Sequence, residues 1–553
     1  MESMNNWFET RAMRTSRHLG ARALVCLFVL VIVVFGFGPA ALAAAGNNIF
    51  ITQNAMGAGN GADCADALSA SWFNNSANWG SGANQIGPGT TVHICGTITA
   101  PVGGSALSLQ GGGSSRSPVT IVFESGAILQ SARFGGASDG SCRPCNGGID
   151  VNGFSYVTID GNKTGIIQNT ANGMGMANHD QSLGIYLKGS NLIVRNLTIK
   201  NIFMNKGSGS GSTDSSGQST ADIRVDSGST AIELSGNTLL NSRAGIWSDT
   251  TGTVKYHNNI LDDHAWQIAI SGSNGAVQDI YDNDIGTYVN WAFPTVTYHT
   301  DGIIGYGNPN AVITMNIYNN YFHGDLGLGS PTGFVFCTYG GPGSGSKCNI
   351  FNNVLVGLGS MAVGHDALMY FHSSDGHPLG PHLIANNTFV GGGFQIEMDG
   401  DTTTKYTIKN NIFQGDAGGD TFFYHSETNS QPWNTITVNN NLYFSGRAAG
   451  GWNWNGQVFA TITSWKSGCL RGGGECDSTS STADPMLDPI FHLQAGSPSI
   501  GLGANMSNLG YASLNADKLG VLRSPTLAWD AGAYTFRTTA SFPPPTGLTA
   551  IVQ

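Results

Sequence analysis

Four positions before each of five apolar residues, Ile246, Ile268, Ile303, Phe334 and Met369, the chain carries Ser242, His264, His299, Ser330 and His365. If the apolar residues share one phase in stacked strands, the imidazoles of His264 and His299 are neighbours about 4.8 Å apart, and His365 lies two layers further on. Asp263, Asp301 and Asp366 flank them, and Arg243 sits one layer before. Imidazole and carboxylate together can take a proton from a carbon acid or from water, and a guanidinium can neutralise an acidic substrate. The expected catalytic set is therefore His264, His299, Asp301 and Arg243. Trp266, Trp291, His323 and His365 are the expected substrate contacts, because aromatic rings offer a flat apolar face with a polar edge. Asp263, Asp325 and Asp366 are the expected cation ligands, and an all-oxygen set suits calcium. The competing reading is a series of polar turn residues bonded to backbone.

Such a column needs an element that repeats. Phrases of one kind recur along the chain: "YHNNILDD" at Tyr256–Asp263, "IYNNYFHG" at Ile317–Gly324, "IFNNVLVG" at Ile350–Gly357, "IANNTFVG" at Ile384–Gly391 and "IKNNIFQG" at Ile408–Gly415. Taking the second asparagine as a marker (Asn162, Asn196, Asn237, Asn259, Asn283, Asn320, Asn353, Asn387, Asn411, Asn441), the shortest intervals are 22 to 24 residues. That is one coil of a parallel β-helix, with longer intervals carrying loops. Asparagine is poor in strands but tolerates left-handed corners, and amides stacked in register can bond along the stack. The phrase therefore marks a corner, at least two strands per coil are expected, and the crossover hand should be right. The fold expected is all-β: one right-handed parallel β-helix of about ten to twelve coils, capped at both ends.

The 553 residues include 79 glycines and only 11% charged residues. Residues 1–45 read as an export signal: Arg11, Arg14, Arg17 and Arg22, then an apolar run Ala23–Phe35, then small residues at 41–46. Without them 20 basic residues face 33 acidic ones, a net charge of −13, which argues against nucleic acid or anionic lipid as a partner. The mature chain should be a secreted or periplasmic monomer with no membrane segment. Eight cysteines outside the signal fall into local pairs, Cys64/Cys95, Cys142/Cys145, Cys337/Cys348 and Cys469/Cys476, as disulfides do in exported chains. Residues 46–150 are expected to form the N-terminal cap and first coils, 151–446 the helix core, 447–536 the last coils and cap, and 537–553 a tail.

The opening "IFITQNAMGAG", the repeated Asn-Asn corners and the closing "DPIFHLQAGSPSIGLG…WDAGAYTF" resemble secreted bacterial proteins of the pectate-lyase-like parallel β-helix superfamily. The resemblance implies action on a polysaccharide, by lyase-type elimination or by hydrolysis; a non-catalytic carbohydrate-binding or surface protein is the alternative. "HTDG" at His299–Gly302 also resembles the "NTDG" phrase of polygalacturonases, which would make Asp301 an acid or a water-activating carboxylate. The match then lapses: "FHGD" (His323, Asp325) stands where adjacent aspartates belong, and "GHD" at Gly364–Asp366 where that family has Gly-His-Gly.

Overall fold

The computed structural model describes residues 47–136, 146–204, 219–288, 300–306, 311–324, 326, 332–339, 345–357, 366–372, 379–399, 402–415, 421–425, 430–444 and 451–537. Each coil contributes three strands. Among the described residues a first sheet of fifteen strands runs along the coils, with two-residue strands at its ends (Leu68–Ser69 and Glu475–Cys476). Its strands pair in parallel and in unbroken register, Ile280 on Ile317 on Ile350 on Ile384 on Ile408 on Val438. The second and third strand rows meet at a corner that two long strands, Thr238–Ser248 and Ile260–Ile270, cross without a break. The result is a right-handed parallel β-helix, with three strands per coil where at least two were expected. β-Branched side chains of all three sheets point into one elongated core, each fully buried one contributing roughly 1.5–3 kcal/mol.

The Asn-Asn phrase divides its work. The first asparagine takes the left-handed conformation at the corner between first and second sheets: Asn258, Asn319, Asn352, Asn386, Asn410 and Asn440 have φ of 53–60°. The second forms a buried ladder through Asn237, Asn259, Asn283, Asn320, Asn353, Asn387, Asn411 and Asn441. Each accepts the backbone N–H and side-chain amide of the copy one coil before, the amide pairs lying 2.9–3.1 Å apart. Each Nδ2 also donates to a carbonyl further back, as Asn259 does to Leu234 at 2.9 Å. Two expected markers fall one position off. Asn162 and Asn196 are themselves left-handed, with φ of 49° and 55°, and beside Asn196 the ladder position is Leu197, whose N–H donates to Asn237. The last rung rests on Asp477, a buried carboxylate that also accepts from Tyr443 and Trp465.

At the N-terminal end the helix Ala70–Phe73 brings Phe73 over the first coil, with Trp79 edge-on to it. At the other end the helix Ile462–Arg471 places Trp465 against Trp452, Trp454 and Phe459 of an antiparallel hairpin. Beyond it, residues 483–536 run back along the coils, held by the first-position asparagines. The amides of Asn352, Asn386, Asn410 and Asn440 donate to the carbonyls of Ala516, Asp530, Ala504 and Leu502 at 2.8–2.9 Å. Disulfides join Cys64 to Cys95, Cys337 to Cys348 and Cys469 to Cys476, while Cys142 and Cys145 lie outside the described residues. Among the described residues no helix is long and apolar enough to cross a membrane.

Candidate functional site

Strands of the third sheet do not simply alternate. Two successive residues face the core, as in Phe334–Val335 and Leu368–Met369, so that the residues on either side of the pair are turned outward. Ile303 consequently pairs with Val335, not with Phe334 as expected, and Val335 pairs with Met369. The residue after the inward pair forms an outward row: Asp150, Tyr186, Arg224, Trp247, Ala269, Ile304, one above the next. The residue before the pair forms a second row, Ala221, Ala244, Trp266, Asp301.

On these rows cations lie on aromatic rings. The Arg224 guanidinium sits 4.5 Å from the Trp247 ring, and that of Arg243 sits 3.9 Å from Trp266. The two indoles meet edge to face at 5.7 Å, and Tyr306 closes the cluster at 5.8 Å from Trp266. Such contacts contribute about 0.5–2 kcal/mol each and hold the guanidinium planes fixed. Arg224 is also ion-paired with Asp249 and keeps 16% of its side chain exposed, whereas Arg243 is nearly enclosed at 2%. Trp247, Trp266 and Tyr306 remain part-exposed.

Acid groups continue the row toward the N-terminal end. Burial raises the Asp150 carboxyl to about 6, against the pull of the Asn152 N–H and of Lys188. The Tyr186 phenol is pushed up by burial and by its hydrogen bond to Asp226. Asp150 is thus a carboxyl on this face that burial pushes toward the neutral range.

The expected site residues are distributed unevenly over this geometry. Arg243 lies on the Trp266 ring, and Trp266 and Asp301 are register neighbours. Asp301 is wholly buried, and its Oδ1 accepts the Gly333 N–H at 3.2 Å. The glycine of "HTDG" is there for packing, since a Cβ on Gly302 would come 2.4 Å from the Phe334 carbonyl. His264 does not lie on the outer face. It is fully enclosed, with Nδ1 at 2.6 Å from Gln267 and Nε2 at 2.9 Å from Asp222, itself fully buried. Burial raises the Asp222 carboxyl to about 6, with His264 opposing that rise. This pair fills space left by small inward residues: the imidazole would lie 3.1 Å from a Cβ on Gly245. Asp263 occupies the second corner at φ 58°, where a short polar side chain suits the backbone. His323 lies on the second sheet and pairs with Asp284 at 2.7 Å. His299, Trp291, His365 and Asp325 lie outside the described residues, as does the side chain of Asp366.

Arg224, Trp247, Tyr186 and Tyr306 complete the face, and none of the four belongs to the expected set of catalytic residues, substrate contacts and cation ligands. A signal for the first three exists. "IYLK" (Ile185–Lys188), "IRVD" (Ile223–Asp226) and "IWSD" (Ile246–Asp249) are one phrase in three coils, whose second residue points outward. For a metal, the one tight group of ligand atoms among the described residues is Cys337, Cys348 and His382. Its sulfurs are joined in a disulfide and the His382 Nδ1 accepts the Cys348 N–H, so it packs the core and does not resemble an oxygen-rich calcium site.

No family model matches the chain, and no curated protein matches it in sequence. Solved structures do resemble it. A pectate lyase, Pel9A, is 13% identical, with 89% of this chain and 97% of that one covered and a TM-score of 0.48. The tailspike protein of E. coli bacteriophage HK620, in complex with a pentasaccharide, is 13% identical over 65% of this chain and 60% of its own, with a TM-score of 0.40. A GH136 lacto-N-biosidase from Eubacterium ramulus is 12% identical over 73% and 64%, also at 0.40.

Proposed function

We propose that the protein is an exported polysaccharide-active protein that binds an acidic, uronate-containing glycan across the outer face of the third sheet and cleaves it. The observation that carries this reading is the Arg224 guanidinium held on Trp247, part-exposed, beside Trp266 and Tyr306. A planar guanidinium matches a carboxylate, and flanking aromatic faces match sugar rings. Neutralising the carboxylate acidifies the proton on the adjacent carbon, which is what elimination requires; Asp150 is the nearby group able to exchange a proton near neutrality. Three disulfides fit an exported chain.

The test is a panel of uronate polysaccharides given to the mature protein with and without a chelator, following unsaturated products and reducing ends. Both signals together mean elimination, reducing ends alone mean hydrolysis, and loss with chelator assigns calcium a role. Binding with neither signal leaves a carbohydrate-binding scaffold, and absence of binding contradicts the proposal.

A further inference from the structure

A groove of about 520 Å³ crosses the outer face of the first sheet, on a different sheet from the arginine–tryptophan face. Its floor is a single row taken from four successive coils, Thr158, Ile193, Glu233 and Lys255. At about 4.8 Å per coil that row is roughly 14 Å long. One wall is the tight turn Ser114–Ser117, closed by two backbone hydrogen bonds of 3.0 Å.

The rim is the unusual part. Tyr156, Asn191 and Ala231 line it, and all three are left-handed, at φ of 58°, 57° and 55°. For asparagine this costs little, but for tyrosine and alanine it costs roughly 1–2 kcal/mol, with no side-chain bond to the local backbone in compensation. Backbone strain of this kind concentrates where side chains are aimed at a ligand. Here it aligns three consecutive coils on one cavity.

The lining says what would fit. Hydroxyls, an amide and a phenol ring surround one acidic and one basic side chain whose charges cancel. Glu233 is also 3.5 Å from His257, and Lys255 is the register neighbour of Asp279. No surplus of positive charge lines the groove to hold a polyanion. We infer that this groove is a second, non-catalytic carbohydrate site, and that it takes a neutral oligosaccharide stretch. It stands independently of the proposed cleavage of acidic glycan.

The experiment titrates the mature protein with neutral hexasaccharides of glucose, mannose and xylose, alongside a uronate hexasaccharide, by calorimetry. Tyr156→Gly removes the ring while suiting the positive φ, and Thr158→Trp fills the floor. Thermal unfolding of each variant verifies its fold. The expected result is that at least one neutral hexasaccharide binds and that both variants weaken it at least tenfold, with uronate binding unchanged. Absence of neutral binding at millimolar concentration overturns the inference. So does neutral binding that Tyr156→Gly leaves intact, or that Arg224→Ala abolishes.

Discussion

At the corner between the first and second sheets, eight coils in succession place an asparagine at one position, and each amide meets its copy at 2.9–3.1 Å. On the outer face of the third sheet, the first three of these coils place Trp247, Ala269 and Ile304 in one row, which Tyr186 and Arg224 begin in the two coils before, with no two alike. Both are columns produced by stacking. The first is buried and must satisfy the same backbone groups in every layer, so it repeats. The second is partly wet, leaves the backbone satisfied whatever it carries, and is free to vary. In a solenoid, repetition therefore marks what holds the chain together, and departure from it marks where chemistry has room.

The largest expected effect breaks the repeating side. Asn259→Ala removes the amide that donates to Leu234 and Asn283 and accepts from Asn237. Leaving such buried groups unpaired should destabilise by about 3 kcal/mol, read as a fall in the urea midpoint. Arg224→Ala breaks the variable side. It should leave the urea midpoint within about 1 kcal/mol, because its ion pair with Asp249 is partly exposed. Binding of uronate oligosaccharides should fall by about tenfold or more, roughly 1.4 kcal/mol.

A smaller effect sharpens the comparison through pH. Asp150 has a folded-state value raised to about 6 from 3.8, so it is neutral below that pH and anionic above it. Its ionisation adds a negative charge to the face that holds an anionic glycan, so affinity should drop a few-fold as pH rises from about 5 to 7. Asp150→Asn should abolish that drop. For stability the sign is the same: the raised value favours the folded state below about 3.8, and the contribution is lost as pH rises through about 6. The smallest effect is Asn258→Gly. Its φ of 55° suits glycine and its side chain is exposed, so stability should stay within about 0.5 kcal/mol of the parent, beside the large loss at Asn259.

How much of this was legible in the sequence follows the same division. The corner phrase was readable because eight buried amides demand one residue type. It misled only at Asn162 and Asn196, where a lone asparagine serves the left-handed position instead. The phase of the third sheet was readable up to Ile303 and slipped at Phe334, because both Phe334 and Val335 point inward and either one satisfies an apolar pattern. His264 illustrates the harder limit. Its spacing placed it on the stack correctly, since Ser242 pairs with His264. Spacing does not say which way a ring turns beside a corner, and here it turns into a pocket between Asp222 and Gln267. Arg224 went unnoticed for the opposite reason: nothing repeats at its position, and only the shared frame of "IRVD" and "IWSD" ties it to Trp247.

The most direct measurement is hydrogen–deuterium exchange of the mature protein with and without each uronate oligosaccharide of the panel. Added protection should centre on the third-sheet strands that carry Arg224, Trp247 and Trp266, namely Ala221–Val225, Thr238–Ser248 and Ile260–Ile270. Protection confined to the first sheet, or no change with any acidic oligosaccharide, would contradict the assignment of this face.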